Sequence, residues 1–144
     1  MLTRSAWAGM IPHAGAMALI ARVLRWDAEH LEAEADAPGA AHPLLRDGRL
    51  HALHACEYGA QAAAVHGALL ARAGIAEPAP AGLLAALRGV RLQGQWVSLR
   101  QPLRIEVRRQ SALPAAAQYR FLVQQGGAAL AQGQALIAFG GVTP

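Results

Sequence analysis

The longest apolar stretch of the chain covers residues 51–74 and carries one formal charge before Arg72, at Glu57. Alanine, leucine and valine fill most of the other positions, and alanine and leucine are strong helix formers. This pattern predicts one long helix that is buried on most of its faces. Asp47 is a candidate N-cap for this helix, and Gly74 is a candidate for the glycine that ends it.

Alternation of apolar and polar residues predicts strands in the rest of the chain. Residues 31–36 (LEAEAD) alternate cleanly, as in a strand with one buried face. Residues 17–26 fit a helix or a strand by periodicity, but the short polar segment 27–30 favours a hairpin, so both flanks are interpreted as strands. Further strands are predicted at residues 83–93, 103–108, 119–123 and 128–139. The glycines at 126 and 127 suit a tight turn between the last two.

The predicted order is two strands, a loop over residues 37–50, the long helix and four more antiparallel strands. A helix this apolar cannot lie on a sheet face that water reaches, so the sheet must wrap around it. This is the α+β hot-dog architecture, with about six strands around one central helix. A chain of 144 residues without a repeat or an internal linker predicts a single domain over residues 1–144.

Composition and charge limit the kinds of molecule that this chain could bind and the compartment in which it works. Thirteen arginines and no lysine face nine acidic residues, five of which lie between Asp27 and Asp36. The rest of the chain is basic, which suits an acidic partner. It contains no basic run with interleaved aromatic residues of the kind that would indicate nucleic-acid binding. Polar groups within residues 51–74 exclude a membrane span. One cysteine, Cys56, excludes an intrachain disulfide and indicates a reducing compartment, so the cytoplasm is predicted.

Glu57 is the residue of this helix with the clearest chemical potential. Burial of a carboxylate disfavours its charged form and raises its pKa, which suits a general acid near neutral pH. The alternative interpretation is structural: Glu57 satisfies a buried partner or reaches solvent at the seam of a dimer.

Other polar residues of the helix surround Glu57. His51, His54 and Glu57 recur at every third position, but the spacing is not that of a zincin and no fourth ligand is evident, so no metal site is predicted. His54 is instead interpreted as a pocket residue near Glu57. Gln61, four positions further along, is placed to orient the Glu57 carboxyl. His66 is predicted to be a core or interface residue.

Four short motifs carry a resemblance to a known family. Residues 11–13 (IPH) resemble the opening of β-hydroxyacyl-acyl-carrier-protein dehydratases, and residues 57–61 (EYGAQ) are similar to the Glu-x-x-Ala-Gln of their central helix. His42 lies fifteen positions before Glu57, close to where those enzymes place a catalytic histidine. Residues 42–50 (HPLLRDGRL) and 64–67 (AVHG) resemble more closely the branch encoded with aryl-polyene pigment assembly.

The resemblance implies the reaction and its residues. The substrate is a β-hydroxyacyl chain carried on the phosphopantetheine of an acyl carrier protein, and no other cofactor is expected. His42 is the expected base and Glu57 the expected acid, and they meet across an interface between two chains. His54, Tyr58 and Gln61 are expected to bind the substrate. The expected partners are the acyl carrier protein and a second hot-dog chain, in a homodimer or a heteromer. Because acyl carrier proteins are acidic, arginines such as Arg46, Arg49 or Arg91 are expected near the mouth of the pocket, where they would attract the carrier.

The chain departs from the family pattern around these residues. Residues 40–44 (AAHPL) replace the usual Gly-His-Phe-Pro-Gly, and the Pro-Gly at the start of the helix is missing. That glycine lets backbone N–H groups approach the thioester oxygen, although any helix N-terminus keeps free amides. Two alternatives therefore stand beside dehydration. One is a hot-dog thioesterase in which Glu57 activates water, and the other is a non-catalytic subunit of a heteromeric dehydratase.

Overall fold

The computed structural model describes residues 1–11, 15–75, 82–113 and 115–139. The strands are β1 (Leu2–Thr3), β2 (Arg22–Trp26), β3 (His30–Ala35), β4 (Leu50–His51), β5 (Gly82–Leu92), β6 (Trp96–Val97), β7 (Leu103–Leu113), β8 (Ala116–Gln125) and β9 (Ala128–Phe139). The helix α1 is Ala55–Arg72, and short 3₁₀ helices cover Arg4–Ala6, Gly15–Met17 and Ala52–His54. Part of the 11–13 motif lies outside the described residues.

An antiparallel sheet of seven strands forms the body of the molecule, in the order β1-β2-β3-β7-β8-β9-β5. All six predicted strands are present in it, and β1 is the additional seventh. Leu31, Ala33 and Ala35 of β3 are fully buried, which confirms the alternation read from the sequence. The sheet packs around α1, so the predicted hot-dog architecture is confirmed.

The central helix is shorter than predicted but buried as predicted. Residues 50 and 51 form β4, which pairs with β6, and the chain passes through the 3₁₀ turn Ala52–His54 before α1 begins at Ala55. Thirteen of the eighteen residues of α1 are buried. Little of the helix is therefore exposed to solvent. Glu57, in the first turn, is half-buried, whereas the residues on either side of it are buried.

The predicted start of the helix at Asp47 is wrong. Asp47 and Gly48 both have positive φ values, 52° and 69°, and form a two-residue turn between Arg46 and Arg49. Aspartate followed by glycine favours this turn, because both tolerate a left-handed backbone. His51 caps the 3₁₀ turn instead, with its Nδ1 atom accepting a hydrogen bond from the Leu53 amide at 3.0 Å.

The predicted end of the helix at Gly74 is confirmed. Its φ of 73° is in the left-handed region that favours glycine. The Gly74 amide donates to the Ala71 carbonyl at 3.1 Å, and the Ile75 amide donates to the Leu70 carbonyl at 3.0 Å. This pair of bonds is the Schellman arrangement, which satisfies the last carbonyls of a helix.

Residues 17–21, predicted as the beginning of a strand, are not strand. A 3₁₀ helix covers Gly15–Met17, and β2 begins at Arg22. Leu19 and Ile20 are buried between them, so their apolar character reflects packing rather than a sheet position. The turn predicted between β8 and β9 is present, with Gly126 and Gly127 at φ values of 59° and 80°.

Arginines on neighbouring strands pair with the acidic cluster of β3. Arg25 and Arg104 bind Glu32 at 2.6 Å and 3.2 Å, and Arg22 binds Glu34. The hydrogen bond from Arg25 is the main reason that the pKa of the Glu32 carboxyl lies below its usual range, although burial acts in the opposite direction. The negative charges of Glu32 and Glu34 are therefore balanced by arginines of the neighbouring strands.

Among the residues that the structure describes, none of the helices combines the length and the apolar character that a membrane span requires.

Candidate functional site

A loop between β3 and β4 presents His42 to the N-terminal end of α1. The Gly39 amide donates to the Leu99 carbonyl at 3.0 Å, which ties the loop to the segment between β6 and β7. The Leu45 amide donates to the His42 carbonyl at 3.3 Å and closes a turn around the histidine. His42 is consequently held in a buried position.

Both ring nitrogens of His42 have protein partners. The Leu44 amide donates to Nδ1 at 3.1 Å, and Nε2 lies 3.2 Å from the hydroxyl oxygen of Tyr58. Burial lowers the pKa of His42, and the nearby His54 lowers it further. The environment therefore favours a neutral imidazole.

Tyr58 lies behind His42 rather than at a surface. Its side chain is only 1% exposed, and burial raises its pKa to about 12, so the phenol keeps its proton near neutral pH. Tyr58 was expected to bind substrate, and the structure places its hydroxyl against the candidate catalytic histidine. The rings of the two residues are nearly parallel, at 25°.

Glu57 lies in the first turn of α1, next to Tyr58 in sequence, and is half-buried. The enclosed carboxyl expected from the apolar helix is therefore not provided by this chain alone. Within residues 1–11, 15–75, 82–113 and 115–139, the Glu57 side chain makes no hydrogen bond or ion pair, with His42 or with any other residue. Its carboxylate is available to a substrate or a partner chain.

Gln61 does not orient Glu57. Its side-chain oxygen accepts a hydrogen bond from the Leu19 amide at 2.7 Å, and its side-chain nitrogen donates to the Met17 carbonyl at 2.8 Å. Gln61 is also almost fully buried. Its amide group thus fastens the segment before β2 to the central helix, which corrects the orienting role predicted for it.

His54 is half-buried and borders a cleft of about 350 Å³ at the start of α1. The cleft is lined by Leu44, Arg46, Asp47, Arg49, His51, His54 and Trp96. The guanidinium carbon of Arg49 lies 5.0 Å above the Trp96 ring, and His51 meets the same ring edge-on at 5.5 Å. Arg46 and Arg49 lie at this cleft as expected, whereas Trp96 was not anticipated, because β4 and β6 pair only two residues each across a long separation.

The two histidines at the start of α1 both line the cleft, and His51 also caps the 3₁₀ turn. In the described part of the chain, His30, Glu32 and Glu106 bring three possible metal-ligand atoms within 4.8 Å of one another. Two guanidinium groups already bind Glu32 there, so that group is part of the ion-pair network of the sheet.

A comparison with protein families matches residues 5–139 to the family described as ApeP-like, ApeP dehydratase. The matched region includes His42, Glu57, the cleft and every strand from β2 to β9. A comparison with curated proteins finds no significant match.

Solved structures share the fold. The dehydratase heterocomplex ApeI:P from Xenorhabdus doucetiae has a TM-score of 0.84 at 21% identity, covering 99% of this chain and 93% of that chain. A hypothetical thioesterase with coenzyme A from Streptococcus pneumoniae TIGR4 has a TM-score of 0.61 at 10% identity, covering 83% and 85%. The PaaI protein of Escherichia coli has a TM-score of 0.57 at 9% identity, covering 81% and 80%.

Proposed function

The chain belongs to the ApeP-like family of dehydratases, and we propose that it removes water from β-hydroxyacyl thioesters carried on an acyl carrier protein in aryl-polyene assembly. The observation that carries the proposal is the position of His42. This buried imidazole contacts Tyr58, the residue next to Glu57, and the nearby His54, which lowers the pKa of His42, lines an open cleft. A neutral imidazole and an available carboxylate are thus presented at the same end of one helix.

The chemistry of the reaction explains why two such groups are needed. A proton must leave Cα, the thioester oxygen must be stabilised as charge develops on it, and the β-hydroxyl must leave as water. His42 and Glu57 are the proposed catalytic residues, with His54 at the mouth of the site. The substrate brings its own phosphopantetheine arm, so no further cofactor is proposed.

Arg46 and Arg49 support a carrier-bound substrate. Both are exposed and line the cleft beside Trp96. Acyl carrier proteins are acidic, and a basic rim would attract them and lead the phosphopantetheine arm inward. Arg91, also expected near the mouth, lines a separate depression with Arg120 on the outer face of the sheet. Such a carrier-dependent enzyme would work in the cytoplasm, where the single free thiol of Cys56 stays reduced.

The site is proposed to be completed by a second hot-dog chain, either a copy of this one or a different one. Among the described strands, β5 has one neighbour, β9, and therefore leaves an edge of eleven residues open. Long open edges are normally covered. The half-buried Glu57, without a bond to His42 in its own chain, fits a pair of residues that meet across such an interface.

Product analysis tests the proposal. We expect purified protein to convert a β-hydroxyacyl thioester on an acyl carrier protein to the enoyl thioester, seen by mass spectrometry as loss of one water with the thioester intact. Free acid and free thiol would instead identify a thioesterase. No turnover alone, followed by turnover on co-expression with a second hot-dog protein, would identify a heteromeric subunit. No enoyl product under either condition would contradict the proposal.

A further inference from the structure

Arg46 and Arg49 face each other across the two-residue turn that Asp47 and Gly48 form. The Arg46 amide donates to the Arg49 carbonyl at 2.8 Å, and the Arg49 amide donates to the Arg46 carbonyl at 3.0 Å. Two residues paired in this way in an antiparallel hairpin place their side chains on the same face, with their Cβ atoms about 5 Å apart. Both side chains line the cleft at the start of α1, so this turn presents two guanidinium groups to it side by side.

The charges of these two arginines are not balanced nearby. Like charges directly opposite each other destabilise a hairpin. The arginines of β2 and β7 that bind the acidic residues of β3 show how the same fold balances such charges elsewhere. In the part of the chain that the structure describes, neither Arg46 nor Arg49 forms an ion pair, and Asp47, between them in sequence, binds neither. An anion bound in the cleft would relieve this repulsion.

Trp96 restricts the Arg49 guanidinium without using its hydrogen-bond donors. The guanidinium carbon lies 5.0 Å above the centre of the ring, and His51 fixes the ring through an edge-on contact at 5.5 Å and through the pairing of β4 with β6. A cation is attracted to the face of an aromatic ring and needs no hydrogen bond there. Over residues 1–11, 15–75, 82–113 and 115–139, the Arg49 side chain donates no hydrogen bond, and Arg46 donates one, to the Leu45 carbonyl at 3.3 Å. Arg49 is therefore held in place with its donors available to a ligand.

Exposure decreases from these arginines toward the interior of the molecule. Arg46 and Arg49 are exposed, His54 of the same cleft is half-buried, and His42, close to His54, is buried. A phosphopantetheine arm has a matching order of groups. Its one charged group, the phosphate, is at the end that is joined to the carrier, and the thioester is at the other end of an uncharged chain. With its phosphate at the two arginines, the arm would point its thioester inward.

We propose that Arg46 and Arg49 bind the phosphate of the phosphopantetheine arm, and that Trp96 is a positioning residue that acts through Arg49. The proposal rests on the proposed function for the identity of the ligand. It differs from a general attraction of an acidic carrier, because it assigns one group of the substrate to two named side chains. A guanidinium binds two phosphate oxygens through parallel N–H···O bonds, which a point charge cannot do. The site would therefore distinguish a phosphorylated arm from an unphosphorylated one.

Two thioesters with the same acyl chain test this distinction, one on pantetheine and one on 4′-phosphopantetheine. We expect kcat/KM of the wild-type protein to be at least about tenfold higher with the phosphorylated substrate, the scale of charge-assisted hydrogen bonds. Arg46→Gln combined with Arg49→Gln should abolish most of this preference. Arg91→Gln combined with Arg120→Gln is the matched control, because it also removes two positive charges but from the separate depression on the sheet. An equal loss of preference in both double variants, or no preference in wild type, would overturn the proposal.

Two variants test the positioning role of Trp96. Trp96→Leu removes the aromatic face, and we expect it to raise KM for the phosphopantetheine thioester several-fold with kcat unchanged. Trp96→Phe keeps an aromatic face for Arg49 and should retain most of the preference for the phosphorylated substrate. An equal fall in kcat for both thioesters in Trp96→Leu, without rescue by Trp96→Phe, would show that Trp96 shapes the cleft and does not position Arg49.

A binding measurement separates this proposal from the proposed reaction. In protein labelled with ¹⁵N-tryptophan, the indole signal of Trp96, assigned by its loss in Trp96→Leu, should shift on addition of 4′-phosphopantetheine but not of pantetheine. The buried Trp7 is an internal reference that should not respond to either.

The two sources of the arm are compared in the same titration. Tighter binding of the carrier protein with its arm attached than of coenzyme A supports the carrier as the source, and the reverse contradicts it. If the Trp96 signal responds to the phosphate but the protein dehydrates no thioester, the proposed function fails while the phosphate site stands. If the protein dehydrates carrier-bound substrate and Trp96 does not respond, the phosphate site fails while the proposed function stands.

Discussion

The Nδ1 atom of His66 lies 2.7 Å from the hydroxyl oxygen of Tyr119, in the middle of the molecule. Its Nε2 atom donates to the Asp27 carbonyl at 2.8 Å, so the hydroxyl of Tyr119 is the donor at Nδ1. The ring is fully buried, which confirms the prediction of a core or interface residue. These two bonds connect α1 to β8 and to the hairpin between β2 and β3, and the neutral ring leaves no polar atom unpaired.

We expect the His66 environment to make the protein less stable in mild acid. Burial lowers the pKa of folded His66, whereas the unfolded residue has a pKa of about 6.5. As the pH falls below about 6.5, the unfolded chain takes up a proton that the folded ring resists, so the free energy of unfolding decreases until the folded pKa is reached. Urea unfolding at pH 7.5 and pH 5.5 measures the decrease.

His66→Phe separates this contribution from the others. The variant should show a smaller loss of stability between the two pH values, while His42, whose pKa is lowered in the same direction, still contributes its part. An equal pH dependence in wild type and His66→Phe would show that His66 is not the group responsible.

Gly59 is required by the close packing of α1 on β8. A Cβ atom at this position would lie 2.7 Å from the fully buried ring of Phe121. Replacement by alanine gains about 1 kcal/mol in helix propensity, but overpacking of a core costs about 1–3 kcal/mol. We expect Gly59→Ala to be destabilising on balance, as measured by chemical unfolding.

Phe121→Ala provides the control for this packing, because it removes the Cγ and Cδ2 atoms that the added Cβ would meet. If the ring is the obstacle, Gly59→Ala should cost less in the Phe121→Ala background than in wild type, which a double-mutant cycle measures. An equal cost in both backgrounds would place the strain elsewhere.

Local patterns were sufficient to predict six of the seven strands of the main sheet and the turn between β8 and β9, but not the short strands β1, β4 and β6. The alternation through Leu31, Ala33 and Ala35 identified β3 and its buried face, and two adjacent glycines identified the turn at 126–127. Residues 17–21 were wrongly assigned to a strand, because residues buried in a segment between two elements can be as apolar as the residues of a buried strand. Asp47 misled because the residue types that cap helices also form two-residue turns.

The contacts between side chains at the site could not be predicted from the sequence as the strands could. The motifs gave His42 and Glu57, but the contact between His42 and Tyr58 joins a loop to a helix sixteen residues away. Nothing in the spacing of polar residues indicates that Gln61 reaches back to Met17 and Leu19. Such tertiary hydrogen bonds depend on the three-dimensional path of the chain, which periodicity does not describe.

We expect Glu57→Gln to keep the fold and to lose dehydration by about 10²-fold or more, the usual scale for a positioned acid or base. Glutamine preserves the shape of the half-buried side chain but removes the carboxyl group that would transfer a proton. Glu29→Gln is the matched control, because Glu29 lies exposed in the hairpin between β2 and β3. Initial rates with a carrier-bound substrate measure both variants. Near-wild-type turnover in Glu57→Gln would favour a structural role.

Carrier-bound and free substrates should differ in their response to salt. The exposed Arg46 and Arg49 at the cleft attract an acidic carrier through charges that salt screens. Turnover of the carrier-bound thioester should therefore fall with added salt far more than turnover of a small neutral thioester. Arg49→Ala should weaken the carrier reaction, whereas Arg91→Ala, in a separate depression, is the control. Equal salt sensitivity of the two substrates would argue against a carrier-docking role for this rim.

Subunit mixing tests whether His42 and Glu57 act across an interface. In a dimer whose sites each take His42 from one chain and Glu57 from the other, a hybrid of His42→Ala and Glu57→Gln has one site with both substitutions and one intact site. Mixing two inactive variants should then restore activity, up to about half that of wild type per hybrid dimer.

The controls decide between the remaining assemblies. Sizing must show dimers, and exchange of subunits must be verified with differently tagged chains, so that a lack of rescue has one meaning. If exchanged hybrids remain as inactive as their parents while the wild-type homodimer is active, both residues act within one chain, because each chain of the hybrid then carries one defect. If the wild-type protein is also inactive alone but active with a second hot-dog protein, the same two variants should be mixed with that partner. The variant that abolishes activity there identifies which residue this chain contributes to the shared site.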